Sequence, residues 1–122
     1  SQRLKKKLLK KCSMSKRGTK LYLEDIKDSI RKIEKYTRNV NFDEFSKDEK
    51  LIDAVIRNLS VIGEAVINIP KEIKTKNPDV AWKEIKGMRN KVIHEYFGID
   101  EEILWRTIRE DLPIFKKQIS KL

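Results

Sequence analysis

The sequence predicts an all-α protein, an antiparallel bundle of four to five helices that functions as a dimer. Three observations carry this reading. Apolar residues recur every three or four positions along most of the chain, whereas no stretch sustains the period of two that a strand needs. Only four glycines are present, too few to turn a series of hairpins. At 122 residues the chain has the length of one domain, and 39% of its residues are apolar and 39% charged, a balance suited to a folded core with a solvated surface.

The first helix is expected over roughly residues 20–38. Leu23, Ile26, Ile30, Ile33 and Tyr36 form its apolar stripe, opposite Lys27, Asp28, Arg31, Lys35 and Arg38. Ser46-Lys47-Asp48-Glu49 has the form of a capping box and starts a second helix near residue 47, although Asp43 offers an earlier start. This helix runs to Pro70 and is apolar around most of its circumference, with a narrow polar stripe of Asp53, Arg57, Ser60, Glu64 and Asn68. Such a helix must be covered on more than one side, by a central position in the bundle or by a dimer interface. Pro70 opens a short helical turn. Asn77-Pro78-Asp79 starts the next element, which reaches His94 or Tyr96 and is broken by Gly98. Asp100 caps a last helix carrying Ile103, Leu104, Ile108, Leu112, Phe115 and Ile119, which Pro113 should kink or divide.

Composition narrows the function classes. No apolar run approaches the roughly 20 residues that span a bilayer, so no membrane role is expected. One cysteine, Cys12, allows no intrachain disulfide, and a cytoplasmic location is expected. The net charge of +10 is concentrated at one end: residues 1–20 hold nine of the 29 Lys and Arg and none of the 19 Asp and Glu. The remainder is close to neutral, at about +1. This divides the chain into a basic leader, residues 1–13, expected to be disordered or non-native, and a domain over residues 14–122. The leader suits a phosphate-seeking arm or a remnant ahead of a natural start. Met14-Ser15-Lys16-Arg17 reads as such a start, and favours the second.

Chemistry concentrates in Arg89-Asn90-Lys91-Val92-Ile93-His94-Glu95-Tyr96, which holds the single histidine of the chain. Histidine exchanges protons near neutral pH, and arginine clamps phosphate in two-point geometry. Together they suffice to break a phosphodiester bond without a metal. One histidine, a remote Cys12 and no clustered acids give no zinc geometry, so neither metal nor cofactor is expected. At 100° per residue Arg89 shares an arc with Trp82, Ile85, Met88, Val92, Ile93 and Tyr96. An arginine on an apolar face needs an acid, a phosphate or a wet cleft. A structural ion pair with Glu64 and an anion site are equally good accounts of it. His94 lies about 140° around the helix from Arg89, a poor spacing for two side chains to meet. The site then needs a turn after His94 or a second copy of the chain. Gly87, seven residues before His94, permits close approach of a ligand or a packed helix. Tyr96 is a core aromatic with a wet hydroxyl, or a place to switch the site off covalently.

Gly87-Met88-Arg89-Asn90-Lys91-Val92-Ile93-His94-Glu95-Tyr96-Phe97-Gly98 resembles the signature of the HEPN superfamily, in particular the HepT toxins: arginine, a polar residue, three more residues, histidine, any residue, tyrosine. Arg57-Asn58-Leu59 with Ile62-Gly63-Glu64-Ala65, Asn77-Pro78 with Trp82, and Gly98-Ile99-Asp100 extend the resemblance from Met14 to Leu122. It implies a HEPN-like helical homodimer and a metal-independent endoribonuclease, the toxin of a toxin–antitoxin pair. It implies an MntA-type nucleotidyltransferase antitoxin that transfers AMP to the motif tyrosine. Carried over by position, Arg89 and His94 are catalytic and Tyr96 is the modified residue; Asn90, Gly87 and Glu64 are expected to support the site. A non-catalytic helical binding module, or a regulatory subunit of a nucleotidyltransferase, is the alternative, and the nearly neutral domain suits it because RNA binders are usually basic.

Overall fold

The computed structural model describes residues 15–94 and 100–122. Its elements are α1 (Ser15–Thr37), α2 (Phe42–Ser46), α3 (Glu49–Asn68), α4 (Lys71–Lys76), α5 (Trp82–His94), α6 (Glu101–Arg106), a π-helical turn (Thr107–Asp111) and α7 (Leu112–Ser120). Among the described residues there is no strand, and the all-α expectation holds.

The centre of the bundle is α3. It packs against α1 on one side and α5 on another, while α7 closes against α1 and α2 bridges α3 and α6. Val55, Leu59, Ile62 and Val66 of α3 are fully buried, facing Ile26, Ile30 and Ile33 of α1 and Ile85 and Val92 of α5 within one core. The broad apolar circumference of α3 is thus covered largely within one chain. Val61 alone of its large apolar residues stays exposed, at 38%.

Several boundaries differ from expectation. α1 begins at Ser15, and its inner stripe ends on Thr37 rather than Tyr36: Ile33 and Thr37 are one turn apart on the inner face, Thr37 is buried, and Tyr36 points outward. The Thr37 hydroxyl donates to the Ile33 carbonyl at 2.8 Å. Asn39 then adopts a positive φ of 60° and turns the chain, a conformation asparagine tolerates. The capping box stands at Asn41 and Glu44, where backbone amide and side chain exchange bonds of 2.8 and 3.2 Å to open α2. The Ser46 hydroxyl is spent on the Asp43 carbonyl, so Asp48 alone caps α3 by accepting from Leu51 N–H at 3.1 Å.

α3 ends before Pro70, and α4 is the short turn that Pro70 opens. Asn77 closes α4 instead of starting the next helix. Its carbonyl accepts from Val80 N–H and from the Trp82 indole at 3.0 Å, and α5 starts only at Trp82. The approach to α5 is held from a distance, because Gln118 of α7 accepts from Ala81 N–H at 3.1 Å and donates to the Asp79 carbonyl at 2.8 Å. Asp100 caps α6 as expected. Pro113 does divide the last helix. Having no N–H and a ring that crowds the preceding turn, it sits in the first turn of α7, and the widened π turn before it absorbs the mismatch.

Candidate active site

α5 carries the site, and its inner face is anchored by Trp82, Ile85 and Val92, all buried. Arg89 leaves this face where α5 crosses α3. The crossing is close because residue 63 is glycine: a methyl group there would overlap Arg89 Cβ and Cγ and lie 3.4 Å from its Cα. The Arg89 stem therefore lies against bare backbone of α3, and its guanidinium emerges beside Glu64, the next residue of that helix.

The guanidinium is clasped from two sides. Nη2 makes an ion pair with Glu64 Oε1, and Nη1 donates to Asn90 Oδ1 at 2.9 Å. Nε is buried and has no hydrogen-bond partner among the described residues. The Arg89 side chain is 23% exposed and that of Glu64 53%, so the pair stands at the surface with its stem in the core. Coulomb attraction at such a depth survives screening better than between two fully solvated charges. The arrangement satisfies the requirement of a cation on an apolar face, and it leaves a planar donor fork at the rim of the bundle.

Glu64 also belongs to a groove of about 470 Å³ between α1 and α3, lined by Tyr22, Asp25, Arg57, Ser60, Val61, Ala65 and Asn68. The polar stripe of α3, from Arg57 to Asn68, thus runs along this groove and passes through Glu64, the partner of Arg89. The ammonium of Lys74 in α4 is held below the ordinary lysine range, first by partial burial and second by repulsion from Lys86 of α5.

Of the residues marked out in the sequence, Glu64, Arg89 and Asn90 come together in space. Among the described residues nothing lies within 4 Å of the position a side chain at Gly87 would take. His94 is the last residue of α5. Its side chain, and Tyr96 and Gly98 altogether, lie outside the described residues. Gly63 was missed as a site residue. The signals for it in the sequence were its place in the Ile62-Gly63-Glu64-Ala65 stretch and a glycine in mid-helix, which costs helix stability and so asks for a reason.

A family model described as ribonuclease HepT-like matches residues 26–122. A protein of Thermococcus cleftensis named "Probable ribonuclease HepT" is 48% identical over 107 residues, covering 88% of this chain and 97% of that one. A "Putative RNase" of Caldanaerobacter subterraneus subsp. tengcongensis is 44% identical over 101 residues, 83% of this chain and 90% of its own. Another "Putative RNase", from Methanocaldococcus jannaschii, is 42% identical over 107 residues, 88% and 98% of the two chains. No solved structure matches the chain. An all-α bundle with Arg89 presented by the final turns of α5, and a match covering most of the chain, agree with one another: the protein belongs to the HepT-like family of the HEPN superfamily.

Proposed function

We propose that this protein is a metal-independent endoribonuclease that uses the RNA 2′-hydroxyl as nucleophile. The observation that supports it most is the Arg89 fork, brought to the bundle surface by the Gly63 crossing on the same helix that ends at His94. Attack of the 2′-oxygen on phosphorus puts negative charge on the equatorial oxygens, and a guanidinium already oriented needs little reorganisation to stabilise it. His94 transfers a proton at the nucleophile or the leaving oxygen. The products are a 2′,3′-cyclic phosphate and a 5′-hydroxyl. Relatives named as ribonucleases support the same reading.

The finer assignment follows the family. The chain is the cytoplasmic toxin of a toxin–antitoxin pair and works as a homodimer, with Arg89 and His94 catalytic and Asn90 orienting the guanidinium. The partner is a nucleotidyltransferase that silences it by joining AMP to Tyr96. Residues 14–122 form the working domain, and residues 1–13 are dispensable. A second reading, a non-catalytic binding module, draws support from two observations. The chain outside the first 20 residues has a net charge of only about +1, and the Arg89–Glu64 pair is also what a purely structural arginine would form.

Purified protein incubated with total RNA, with and without EDTA, separates the two. Cleavage that persists in EDTA and disappears in His94→Ala and Arg89→Ala supports the ribonuclease. Equal cleavage by wild type and His94→Ala, or none by either, leaves the binding module.

A further inference from the structure

The charge of residues 21–122 is nearly balanced as a whole but unevenly placed. Residues 71–91, which hold α4 and most of α5, carry seven Lys and Arg against three Asp and Glu. The remainder of residues 21–122 carries 13 against 16. The domain therefore has a net charge of +4 on the two elements around the Arg89 fork and −3 elsewhere. Within this segment the cations gather on one flank of α5. At 100° per residue Lys83, Lys86 and Asn90 fall within an arc of about 60°, beside the buried face of Trp82, Ile85 and Val92. Lys83 and Lys86 are exposed. Lys74 of α4 is half-buried, and close enough to Lys86 for the two charges to repel.

No acid offsets this pair. Among the described residues neither Lys74 nor Lys86 forms an ion pair. Glu72 is held by Lys76 at 3.4 Å, and Glu84 lines a different groove with Asp111 and Ile114. The helix does not favour the arrangement either, because the dipole of α5 disfavours a cation in its first turn, where Lys83 stands. Two ammonium groups that face each other without a counter-charge cost stability, and an anion bound between them offsets that cost.

We infer that Lys74 and Lys86, with Lys83 beside them, bind the backbone phosphates of the RNA strand that adjoin the scissile phosphate on Arg89. This rests on the ribonuclease reading given above. One turn of α5, about 5.4 Å, separates Lys86 from Asn90, whose Oδ1 accepts from Arg89 Nη1. A strand with its scissile phosphate on the Arg89 fork meets Lys86 as it leaves along α5, and Lys74 beside it. The two kinds of cation suit the two tasks. The planar guanidinium orients the phosphate that reacts, whereas a compact ammonium on a flexible stem holds a neighbouring phosphate without fixing its orientation. Such contacts set the register of the strand and read no sequence. A local field of this kind attracts RNA even though the domain as a whole is almost neutral.

The double variant Lys74→Gln/Lys86→Gln tests the assignment. Its binding is followed by fluorescence anisotropy with a single-stranded 2′-O-methyl oligoribonucleotide, which lacks the nucleophile. Binding should weaken roughly tenfold at physiological salt, and the slope of log Kd against log salt should fall by about 1.4, the share of two phosphate contacts on a single strand. With cleavable RNA of the same sequence KM should rise by a similar factor and kcat stay within about twofold, as for binding made equally in ground and transition states. Lys74→Arg/Lys86→Arg should bind like wild type. The glutamine variant should melt at or above the wild-type temperature, because a repulsion has been removed. Taking the same two charges from α1, which packs on another side of α3, provides the control: Lys27→Gln/Lys35→Gln should change binding by no more than about twofold. Equal losses in the two double variants overturn the inference, as does unchanged binding with an unchanged slope in the α4–α5 variant. A lower Tm with unchanged binding also overturns it, and makes the lysines structural. In each of these cases a wild type that cleaves keeps the ribonuclease reading. A wild type that binds through Lys74 and Lys86 yet does not cleave overturns the ribonuclease reading and supports the phosphate contacts as those of a binding module. A wild type that neither binds nor cleaves overturns both.

Discussion

Substituting Gly63 by alanine is the sharpest perturbation of this site that leaves every candidate catalytic residue in place. The added methyl group would overlap Arg89 Cβ and Cγ and approach Arg89 Cα to 3.4 Å. These atoms are the root of the side chain and the backbone of α5, not a flexible tip, so a change of rotamer does not clear them. Carbon atoms pack at about 3.5–4.0 Å, so α5 has to retreat from α3 by on the order of 1 Å. Overpacking of this kind costs about 1–3 kcal/mol. Alanine returns up to about 1 kcal/mol through its higher helix propensity. The net expectation is destabilisation by roughly 1–2 kcal/mol, a fall in Tm of about 4–8 °C for a domain of this size. Retreat of α5 also pulls Arg89 from Glu64, and misplacement by about 1 Å is enough to cost on the order of 100-fold in rate. The control lies on the same pair of helices. At Gly87 nothing among the described residues lies within 4 Å of where a methyl group would stand, so Gly87→Ala should stabilise the fold by about 0.5–1 kcal/mol. Thermal unfolding of the two variants, followed by cleavage of a defined RNA, measures both effects. If Gly63→Ala melts at or above the wild-type temperature, the close crossing of α3 and α5 is wrong, and with it the account of how Arg89 is presented.

Sedimentation at micromolar concentration should give twice the chain mass, and mixing Arg89→Ala with His94→Ala should restore part of the cleavage; a monomer, or no restoration, rules out a site shared between two chains. Co-production with a nucleotidyltransferase of the proposed kind should add AMP increments that map to Tyr96 and abolish cleavage, and intact-mass spectrometry that places them on another residue removes Tyr96 from the mechanism. Arg109→Ala should lower stability by about 1–3 kcal/mol. It deletes bonds of 3.0 and 2.7 Å to the Thr37 and Val40 carbonyls and the stacking on Trp105 at 4.3 Å, and an unchanged Tm would show that these contacts contribute nothing to closing α1. Deleting residues 1–13 removes six of the nine positive charges in the first 20 residues. Stability and cleavage should be unchanged, and a large loss of RNA affinity with a flatter salt dependence would reassign those residues as a binding arm.

What the sequence by itself determined follows from local rules. Helical periodicity is a property of each segment, so the helices and most of their inner faces were legible: Ile26, Ile30 and Ile33 of α1, Val55, Leu59, Ile62 and Val66 of α3, and Leu104, Ile108 and Phe115 near the end of the chain are all buried. Prolines and caps acted where they stand, as at Pro70, Asp100 and Pro113. The choice between competing caps was not local. The sequence offered Ser46 and Asp43 as starts for one helix, whereas Asn41 heads the capping box of α2 and Asp48 caps α3, because the turn after α1 fixes where the chain re-enters a helix. Arg89 was legible as an anomaly, a cation on an apolar face, but the same anomaly suits a structural pair and an anion site equally. Only the tertiary structure decided that Glu64, 25 residues earlier, meets it, because the contact requires two helices to cross at one height. Gly63 belongs to the same class. Its role is the absence of a side chain opposite a neighbour from another helix, and that has no meaning until the two helices are placed against each other.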